Sequence, residues 1–328
     1  MGVSHLIDKL FGGEGGRNTA LLRAYGKLPF YAEYRRLEVA PGAPTAFSQW
    51  LDEGRLAWVR SPTRSERGTT RPSRLLLGLP GSKETVIASV WDSRDSLGRV
   101  FPFAFFVTCA VDALGADPIE RLAVVNCVHR EFERRYSELH QLAGGGDFYR
   151  RFQKHTLTLK PDDLAERTRA LREDAARIAA ETWLKGLSGD KETSSDAWFG
   201  GLLRRVERWK DQAAAARELA IRCPIVPGTS HSAQSVLWLE WLGGLFKRAG
   251  RQPWMLQSLD TDQQAGTLTL LLRDPLPDDY QLLTTDASVY AFVEHLTTLA
   301  ADGNSAAPVP TNIQPTDSVL SWLKQHAP

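Results

Sequence analysis

The stretch that decides the fold is residues 84–109, ETVIASVWDSRDSLGRVFPFAFFVTC. It contains two apolar runs, Val86–Trp91 and Val100–Val107, joined by a polar turn. Runs rich in Val, Ile, Phe and Trp that are separated by Asp, Ser and Gly are typical of two strands joined by a loop. We therefore predict a hairpin in which Gly98 takes a positive φ and Pro102, which has no backbone donor, lies at a strand start or a bulge.

The second run is apolar on both faces of the predicted strand. Strand alternation separates two sets of side chains, Phe101, Phe103, Phe105 and Val107 on one face and Val100, Ala104 and Phe106 on the other. Each buried Phe stabilises the fold by about 1.5–3 kcal/mol, and a strand that is apolar on both faces needs cover on both sides. The predicted fold class is therefore α/β: a mainly antiparallel sheet sandwiched between helices (α/β/α), with a helical-hairpin insertion.

The composition is that of an ordinary soluble globular protein. Of the 328 residues, 42% are hydrophobic and 24% are charged, and the formal net charge is +1. This balance gives no reason to expect nucleic acid or an anionic membrane as the main partner. The three cysteines are too few for a disulfide framework or a zinc site. No apolar run approaches the roughly 18–20 residues of a membrane span, so we predict a cytoplasmic protein.

Helical spacing of apolar residues predicts helices on either side of the hairpin. One is expected to begin at Thr45, which can cap it. Its inward residues are predicted to be Phe47, Trp50, Leu51 and Trp58. A second helix is expected from Asp117 to about Leu142, where Gly144–Gly146 break it. We expect its two histidines, His129 and His140, to be solvated.

The second half of the chain is predicted to be helical at first and to return to strands later. Residues 161–223 are charged and alanine-rich, and their apolar spacing predicts two helices that split near residues 188–195. The elements predicted after them are a buried helix over Ser235–Ala249, strands over Trp254–Leu259 and Gly266–Arg273 joined as a hairpin, and a helix over Asp286–Leu299. A short apolar helix is predicted from Val319; docking on the body and docking on a partner both stay open.

These elements divide the chain into five stretches. They are residues 1–24, a flexible segment with a short amphipathic helix; 25–160, an α/β core; 161–223, a helical insertion; 224–302, a C-terminal part that completes the sheet; and 303–328, a linker and short terminal helix. The N-terminal helix is either a detachable partner-binding element or a frayed terminus. Between core elements, the arginine-rich residues 60–74 are interpreted as a solvated loop, with docking of an acidic or phosphorylated partner as the alternative.

The sequence offers little for catalysis. Ser230 and His231 are adjacent, but the serine hydrolase elbow requires Gly two residues after the nucleophile, where Ser232 is found. Since neighbours in sequence rarely point at each other, we interpret the pair as structural. HExxH and glycine-rich nucleotide motifs do not occur in the sequence. We therefore predict no catalytic residue, no metal site and no cofactor.

The hairpin turn carries one polar cluster, formed by Asp92, Arg94, Asp95 and Arg99. In a catalytic hypothesis Asp95 is a base and Arg99 an anion clamp. In a structural hypothesis Arg99 forks onto Asp95 or Asp92 and fixes the loop. In a recognition hypothesis the loop is a rigid surface that another protein binds. Without His, Cys or metal ligands the catalytic hypothesis is the weakest of the three.

Two motifs in these stretches are shared with a known family. The turn reads Ser93-x-Asp95-x-x-Gly98-Arg99-x-Phe101-Pro102, and an upstream segment reads Tyr25-Gly26-Lys27-Leu28-Pro29. Both resemble motifs of the TagF (ImpM) family, accessory proteins of bacterial type VI secretion. Where that family continues with Gly-Asp-Phe, this chain has Phe30-Tyr31-Ala32. Phe47-x-x-Trp50-Leu51 matches the family's Trp-Leu helix, and Arg273-Asp-Pro-Leu276-Pro277 is a weaker match.

The resemblance spans about residues 25–107 and extends weakly to about 283. It implies a non-enzymatic regulator that represses the apparatus after translation, together with a forkhead-associated scaffold protein and beside a Ser/Thr kinase and phosphatase pathway. The rival hypotheses are a structural assembly component and an enzyme that uses Asp95 and Arg99 on a phosphorylated substrate. The residues predicted to bind a partner are Ser93, Asp95, Gly98, Arg99 and Lys27. Those predicted to form the structural core of the motifs are Tyr25, Gly26, Pro29, Trp50, Phe101, Pro102 and Phe103.

Overall fold

The structure is a computed structural model. It describes residues 19–60, 72–114, 117–139, 141–142, 145–158, 161–188, 195–211, 219–259, 266–283, 293–296, 318–319 and 321. The predicted N-terminal helix, most of the arginine-rich loop, His140 and the linker before the terminal helix lie outside these residues. The chain forms two units, one of Met1–Arg167, Trp254–Ser258 and Asp274–Ala287, the other of Thr168–Pro253, Leu259–Arg273 and Ser288–Pro328.

The predicted hairpin lies at the centre of the first unit. Its strands are β5 (Glu84–Trp91) and β6 (Phe103–Ala110), which pair antiparallel from end to end. Pro102 directly precedes β6, where its missing N–H is not needed by the ladder. Gly98 has a φ of 80°, as predicted.

Further strands extend the sheet on both sides of the hairpin. The first unit also contains β1 (Thr19–Leu21), β2 (Arg23–Gly26), β3 (Arg35–Leu37), β4 (Ser73–Gly78), β7 (Thr156–Thr158) and β9 (Trp254–Ser258). The sheet order in this unit is β9-β4-β5-β6-β2-β3, and every neighbouring pair is antiparallel. Strands β1 and β7 form a separate antiparallel pair.

Two helices cover the opposite faces of β6. Helix α1 (Ala43–Arg60) packs against one face, where the rings of Phe47 and Phe106 have centroids 4.9 Å apart. Helix α2 (Pro118–Leu139) packs against the other, where Phe132 stacks on Phe105 at 6.4 Å. Since Phe105 and Phe106 point to opposite faces, the alternation predicts this sandwich. The α/β class with a mainly antiparallel sheet is confirmed.

The second unit has its own strands and helices. Strand β8 (Ala220–Pro224) pairs antiparallel with β10 (Thr267–Leu271) and parallel with β11 (Val293–His295). The remaining helices are α3 (Gly145–Phe152) in the first unit, α4 (Pro161–Ala176) across the boundary at residue 167, and α5 (Ala180–Ser188), α6 (Ser195–Asp211), α7 (His231–Trp241) and α8 (Gly243–Ala249) in the second.

Several predicted boundaries are wrong. Thr45 does not cap α1; it lies inside the first turn, where its hydroxyl donates to Ala40 O at 2.9 Å. Gly145 begins α3 instead of only ending a helix. The first helix predicted in 161–223 is broken at residues 177–179 into α4 and α5. Within the helix predicted over Asp286–Leu299, residues 293–295 form β11, because pairing with β8 overrides the helical spacing.

Candidate interaction surface

The two motifs that carry the resemblance meet in space. Strand β2 pairs with β6, so that Gly26 lies opposite Phe103. The φ of Gly26 is 130°, and a Cβ there would lie 2.1 Å from the carbonyl oxygen of Pro102. The backbone N–H of Lys27 donates to the same oxygen at 3.3 Å. Only glycine permits this approach, so the YGKLP segment is fixed against the Phe-Pro end of the other motif.

Asp95 is the centre of the junction. Its Oδ2 accepts hydrogen bonds from Lys27 Nζ at 2.8 Å and from Arg99 Nε at 2.7 Å. Its Oδ1 accepts from the backbone N–H of Leu97 at 3.0 Å and of Arg99 at 2.8 Å. The Asp95 side chain is fully buried and that of Lys27 is 7% exposed, whereas that of Arg99 is 56% exposed. The carboxylate therefore closes its own turn and ties it to a segment 68 residues away.

These contacts also set the protonation state of Asp95. Burial raises the pKa of the carboxyl, but the hydrogen bonds from Lys27, from the Arg99 backbone and side chain and from Leu97 outweigh it. The pKa therefore lies well below its usual range. A carboxylate held in this way is a weak proton acceptor at neutral pH, which argues against the hypothesis that Asp95 is a catalytic base.

Residues 27–34 and 92–101, here called the loop pair, are joined by further main-chain contacts. The N–H of Ser96 donates to Tyr31 O at 3.1 Å, and Arg99 Nη2 donates to Ala32 O. Within the turn, the N–H of Phe101 donates to Ser93 O at 3.0 Å. The two loops are therefore joined by a backbone hydrogen bond and by the Arg99 side chain, in addition to the Lys27–Asp95 contact.

Aromatic contacts link the two loops to each other and to β2. The rings of Tyr34 and Phe101 have centroids 4.8 Å apart, and those of Tyr25 and Tyr34 5.6 Å apart. Tyr25 donates its hydroxyl to the Asp52 carboxylate on α1 at 2.9 Å. Burial and this hydrogen bond raise the pKa of Tyr25. On the same helix, Trp50 Nε1 donates to Leu276 O at 2.7 Å, so the weaker match near residue 276 also contacts the motif region.

The residues predicted to bind a partner fall into a buried group and an exposed group. Lys27, Ser93 and Asp95 are buried, while Gly98 and Arg99 are exposed. A partner can therefore contact Gly98 and Arg99 directly, whereas the three buried residues contribute by fixing the conformation of the loops. The predicted core residues Tyr25, Gly26, Trp50, Phe101, Pro102 and Phe103 are all buried; Pro29, predicted with them, is exposed.

The loop pair exposes large apolar side chains. Phe30, Tyr34, Leu97 and Val100 are 45%, 38%, 67% and 38% exposed. Arg94 lies opposite Val100 in the turn, and its Nη1 donates to Gly98 O at 3.5 Å. We call these five residues the candidate surface. Sequence reasoning found Arg94 and the turn but missed Phe30 and Tyr34; their position directly after YGKLP was the available signal.

The prediction that His129 is solvated is wrong, because its side chain is fully buried. Its Nδ1 lies 2.7 Å from Ser89 Oγ on β5, and its Nε2 has no hydrogen-bond partner among the residues the structure describes. Burial and, less strongly, the nearby Arg74 charge lower the pKa of His129. His129 follows Val125 by four residues and precedes Phe132 by three, so the helical spacing of α2 places it on the buried face.

Ser230 and His231 form no catalytic pair with each other. Ser230 caps α7, because its hydroxyl accepts from the N–H of Ala233 at 3.3 Å. The Nδ1 of His231 instead lies 3.4 Å from Ser235 Oγ, one turn along the helix. This arrangement agrees with a structural role for the pair.

The described ranges contain neither a metal-binding cluster nor a membrane-spanning helix. Within them, no group of three or more His, Cys, Asp or Glu side chains is placed to hold a metal ion. None of the helices in that part of the chain is long and apolar enough to cross a membrane.

Comparisons with known proteins add little to this geometry. No protein-family model matches the chain, and no curated protein matches it. Among solved structures, the crystal structure of PA0076 from Pseudomonas aeruginosa PAO1 is similar over 45% of this chain and 77% of that chain, with 17% sequence identity and a TM-score of 0.31. A similarity this weak transfers neither fold nor function.

Proposed function

We propose that this protein is a non-enzymatic accessory regulator of a bacterial type VI secretion system. It acts in the cytoplasm by binding another protein, the forkhead-associated scaffold of the apparatus, and represses secretion after translation beside the Ser/Thr kinase and phosphatase pathway. The family-like motifs suggest this system, and the candidate surface is the region we assign to binding.

The observation that carries the proposal is the junction of Lys27 with Asp95. The two motifs that resemble the family converge there, 68 residues apart in sequence, and their shared contacts fix loops that expose apolar side chains. Exposed aromatic side chains and arginine, here Phe30, Tyr34 and Arg94, are enriched at the centres of protein interfaces. The lowered pKa of Asp95 makes its carboxylate a weak proton acceptor, which disfavours the enzyme alternative that uses this residue as a base.

The binding test is co-precipitation of the full-length chain with the forkhead-associated protein of the same genome. Leu97→Asp is expected to weaken binding at least tenfold, because a buried Leu contributes about 1.5–3 kcal/mol. Val111→Asp is the matched control: Val111 is 39% exposed and follows the opposite end of β6. Unchanged binding by Leu97→Asp, or equal losses for the two variants, would contradict the assigned surface.

The regulatory test is secretion by the type VI apparatus in cells. Deleting the gene is expected to raise secretion, and re-expressing the wild-type chain is expected to lower it again. The Leu97→Asp chain is expected to fail in this complementation while the Val111→Asp chain succeeds. Loss of secretion on deletion would contradict repression and favour an assembly component, and no change in secretion would contradict both.

A further inference from the structure

Arg121, in the first turn of α2, is a buried cation that forms no ion pair with the residues the structure describes. It is only 5% exposed, and its Nε has no hydrogen-bond partner among those residues. Burial lowers the pKa of the guanidinium to about 10, and the group that opposes this shift is the Cys109 thiol rather than a carboxylate. Since a guanidinium stays protonated at neutral pH, a positive charge remains where an unpaired ion is costly.

The sheet beneath Arg121 presents one row of neighbouring positions. Thr85 on β5 is the Cα partner of both Gly78 on β4 and Cys109 on β6. The three positions therefore lie side by side and share one face of the sheet. Cys109 follows Phe105 by four residues, so this is the face that α2 covers.

The indole ring of Trp254 closes the row on the β4 side. A Cβ at Gly78 would lie 2.2 Å from Cζ2 of this ring, so the ring rests directly on the glycine backbone. The Cζ of Arg121 lies 5.7 Å from the ring centroid. At the other end of the row, burial raises the pKa of the Cys109 thiol, and the Arg121 charge opposes this shift. The guanidinium therefore lies over the middle of the row, near Thr85.

Three hydrogen-bond donors lie along this row. Besides Arg121 Nε, the Nε1 of Trp254 and the hydroxyl of Thr85 are buried and lack a hydrogen-bond partner in the described part of the chain. The guanidinium and the indole can only donate, so their two N–H groups cannot satisfy each other. Donors grouped around a buried positive charge are suited to an anion. Because the three residues are at most 7% exposed, only a small ion fits.

We propose that Arg121, Trp254 and Thr85 bind one small monovalent anion of the class of chloride, and that this ion stabilises the packing of α2 on the sheet. The anion neutralises the guanidinium and accepts hydrogen bonds from the three donors. Thr85 and Cys109 lie at the end of the hairpin opposite to the loop pair. The ion therefore acts independently of the candidate surface.

The experiment measures thermal unfolding of the full-length chain in sodium chloride and in sodium gluconate at equal ionic strength. Gluconate is too large for a site this buried, whereas an ion that binds only the folded state raises the unfolding temperature. Chloride is expected to raise Tm by about 3 °C or more relative to gluconate. Arg121→Met is expected to abolish this difference. Arg134→Met, the control, removes an exposed arginine of the same helix and is expected to keep it.

Two further measurements locate the ion. Trp254→Phe keeps an aromatic ring but removes the N–H, so about ten times more chloride is expected to be needed for half of the Tm shift. In crystals grown in bromide, an anomalous peak is expected at hydrogen-bond distance from Arg121 Nε.

Four results would each overturn the proposal. They are equal Tm values in chloride and gluconate, a chloride shift that Arg121→Met retains, a chloride titration that Trp254→Phe leaves unchanged, and crystals in which only water lies between Arg121 and Thr85. If Arg121→Met does not fold, the Trp254→Phe titration and the bromide peak still decide.

Discussion

The hairpin of β5 and β6 carries two buried polar clusters that differ in charge. At its tip, Asp95 stays ionised because two cationic side chains and two backbone N–H groups donate to it. Along the hairpin, Ser89 of β5 contacts His129 of α2 at 2.7 Å, and this pair stays neutral. A buried charge loses much stability for each hydrogen-bond partner that is missing. A neutral buried pair loses less free energy when one of its nitrogen atoms is left without a hydrogen bond.

Because one cluster is charged and the other neutral, the two clusters have different structural roles. The charged cluster draws donors from its own turn and from Lys27, 68 residues away, and so ties two exposed loops together. The neutral cluster lies between the sheet and α2 and adds specificity to their packing. The two clusters also respond to acid in separate pH windows. The contribution of Asp95, whose pKa is lowered, is complete above about pH 4 and is lost as the pH falls further, while that of His129 is lost below about pH 6.5.

The largest effect is expected from separating the two motifs without touching the charges. Gly26→Ala places a Cβ 2.1 Å from Pro102 O at a φ of 130°, so either β2 or the turn must move. We expect a loss of about 3–5 kcal/mol in the free energy of unfolding, measured by urea titration. Gly81→Ala is the control: its φ is 74°, but nothing lies within 4 Å, so about 1 kcal/mol is expected. Equal losses for the two variants would show that the close approach is unimportant.

The next prediction compares the stability contributed by the buried and by the exposed cationic partner of Asp95. Lys27 and Arg99 both donate to Asp95 Oδ2, but their side chains are 7% and 56% exposed. Lys27→Met is expected to cost about 1–3 kcal/mol, less than a wholly unpaired buried charge because the other donors remain. Arg99→Met is expected to cost at most about 1 kcal/mol. If urea unfolding shows a larger loss of unfolding free energy for Arg99→Met than for Lys27→Met, the buried Lys27 is not the main partner that holds the turn.

The neutral cluster is tested by pH. Because the folded-state pKa of His129 is lowered, the unfolded chain binds the extra proton below about pH 6.5, and stability falls as the pH decreases. The expected slope is up to about 1.4 kcal/mol per pH unit. His129→Gln, which can still donate to Ser89, is expected to remove most of this slope between pH 6.5 and 5. His155→Gln, at a partly exposed position, is expected to remove much less; a slope unchanged by His129→Gln would contradict the neutral pair.

The two clusters also differ in how far the sequence predicts them. The strands and the two covered faces follow from alternation, since Phe105 and Phe106 must point to opposite sides. The helical spacing of His129 relative to Val125 and Phe132 predicts a buried position, although the sequence analysis expects this histidine to be solvated. The contact of Lys27 with Asp95 was not available, because it depends on the pairing register of β2 with β6. The sequence shows that a lysine and an aspartate are present, but the pairing register of β2 with β6 determines that Lys27 and Asp95 come into contact.

The smallest effect concerns the second pair of serine and histidine, Ser230 and His231, which contrasts with the pair in the core. Ser89 and His129 contact each other although 40 residues separate them, while Ser230 and the adjacent His231 serve different turns of α7. Ser230→Ala is expected to cost about 1 kcal/mol through loss of the N-cap, measured by thermal unfolding. Ser230→Asp restores an acceptor at the cap and is expected to recover most of that loss. If Ser230→Asp is as unstable as Ser230→Ala, the hydroxyl does not act as a cap, and the assignment of this pair to helix capping fails.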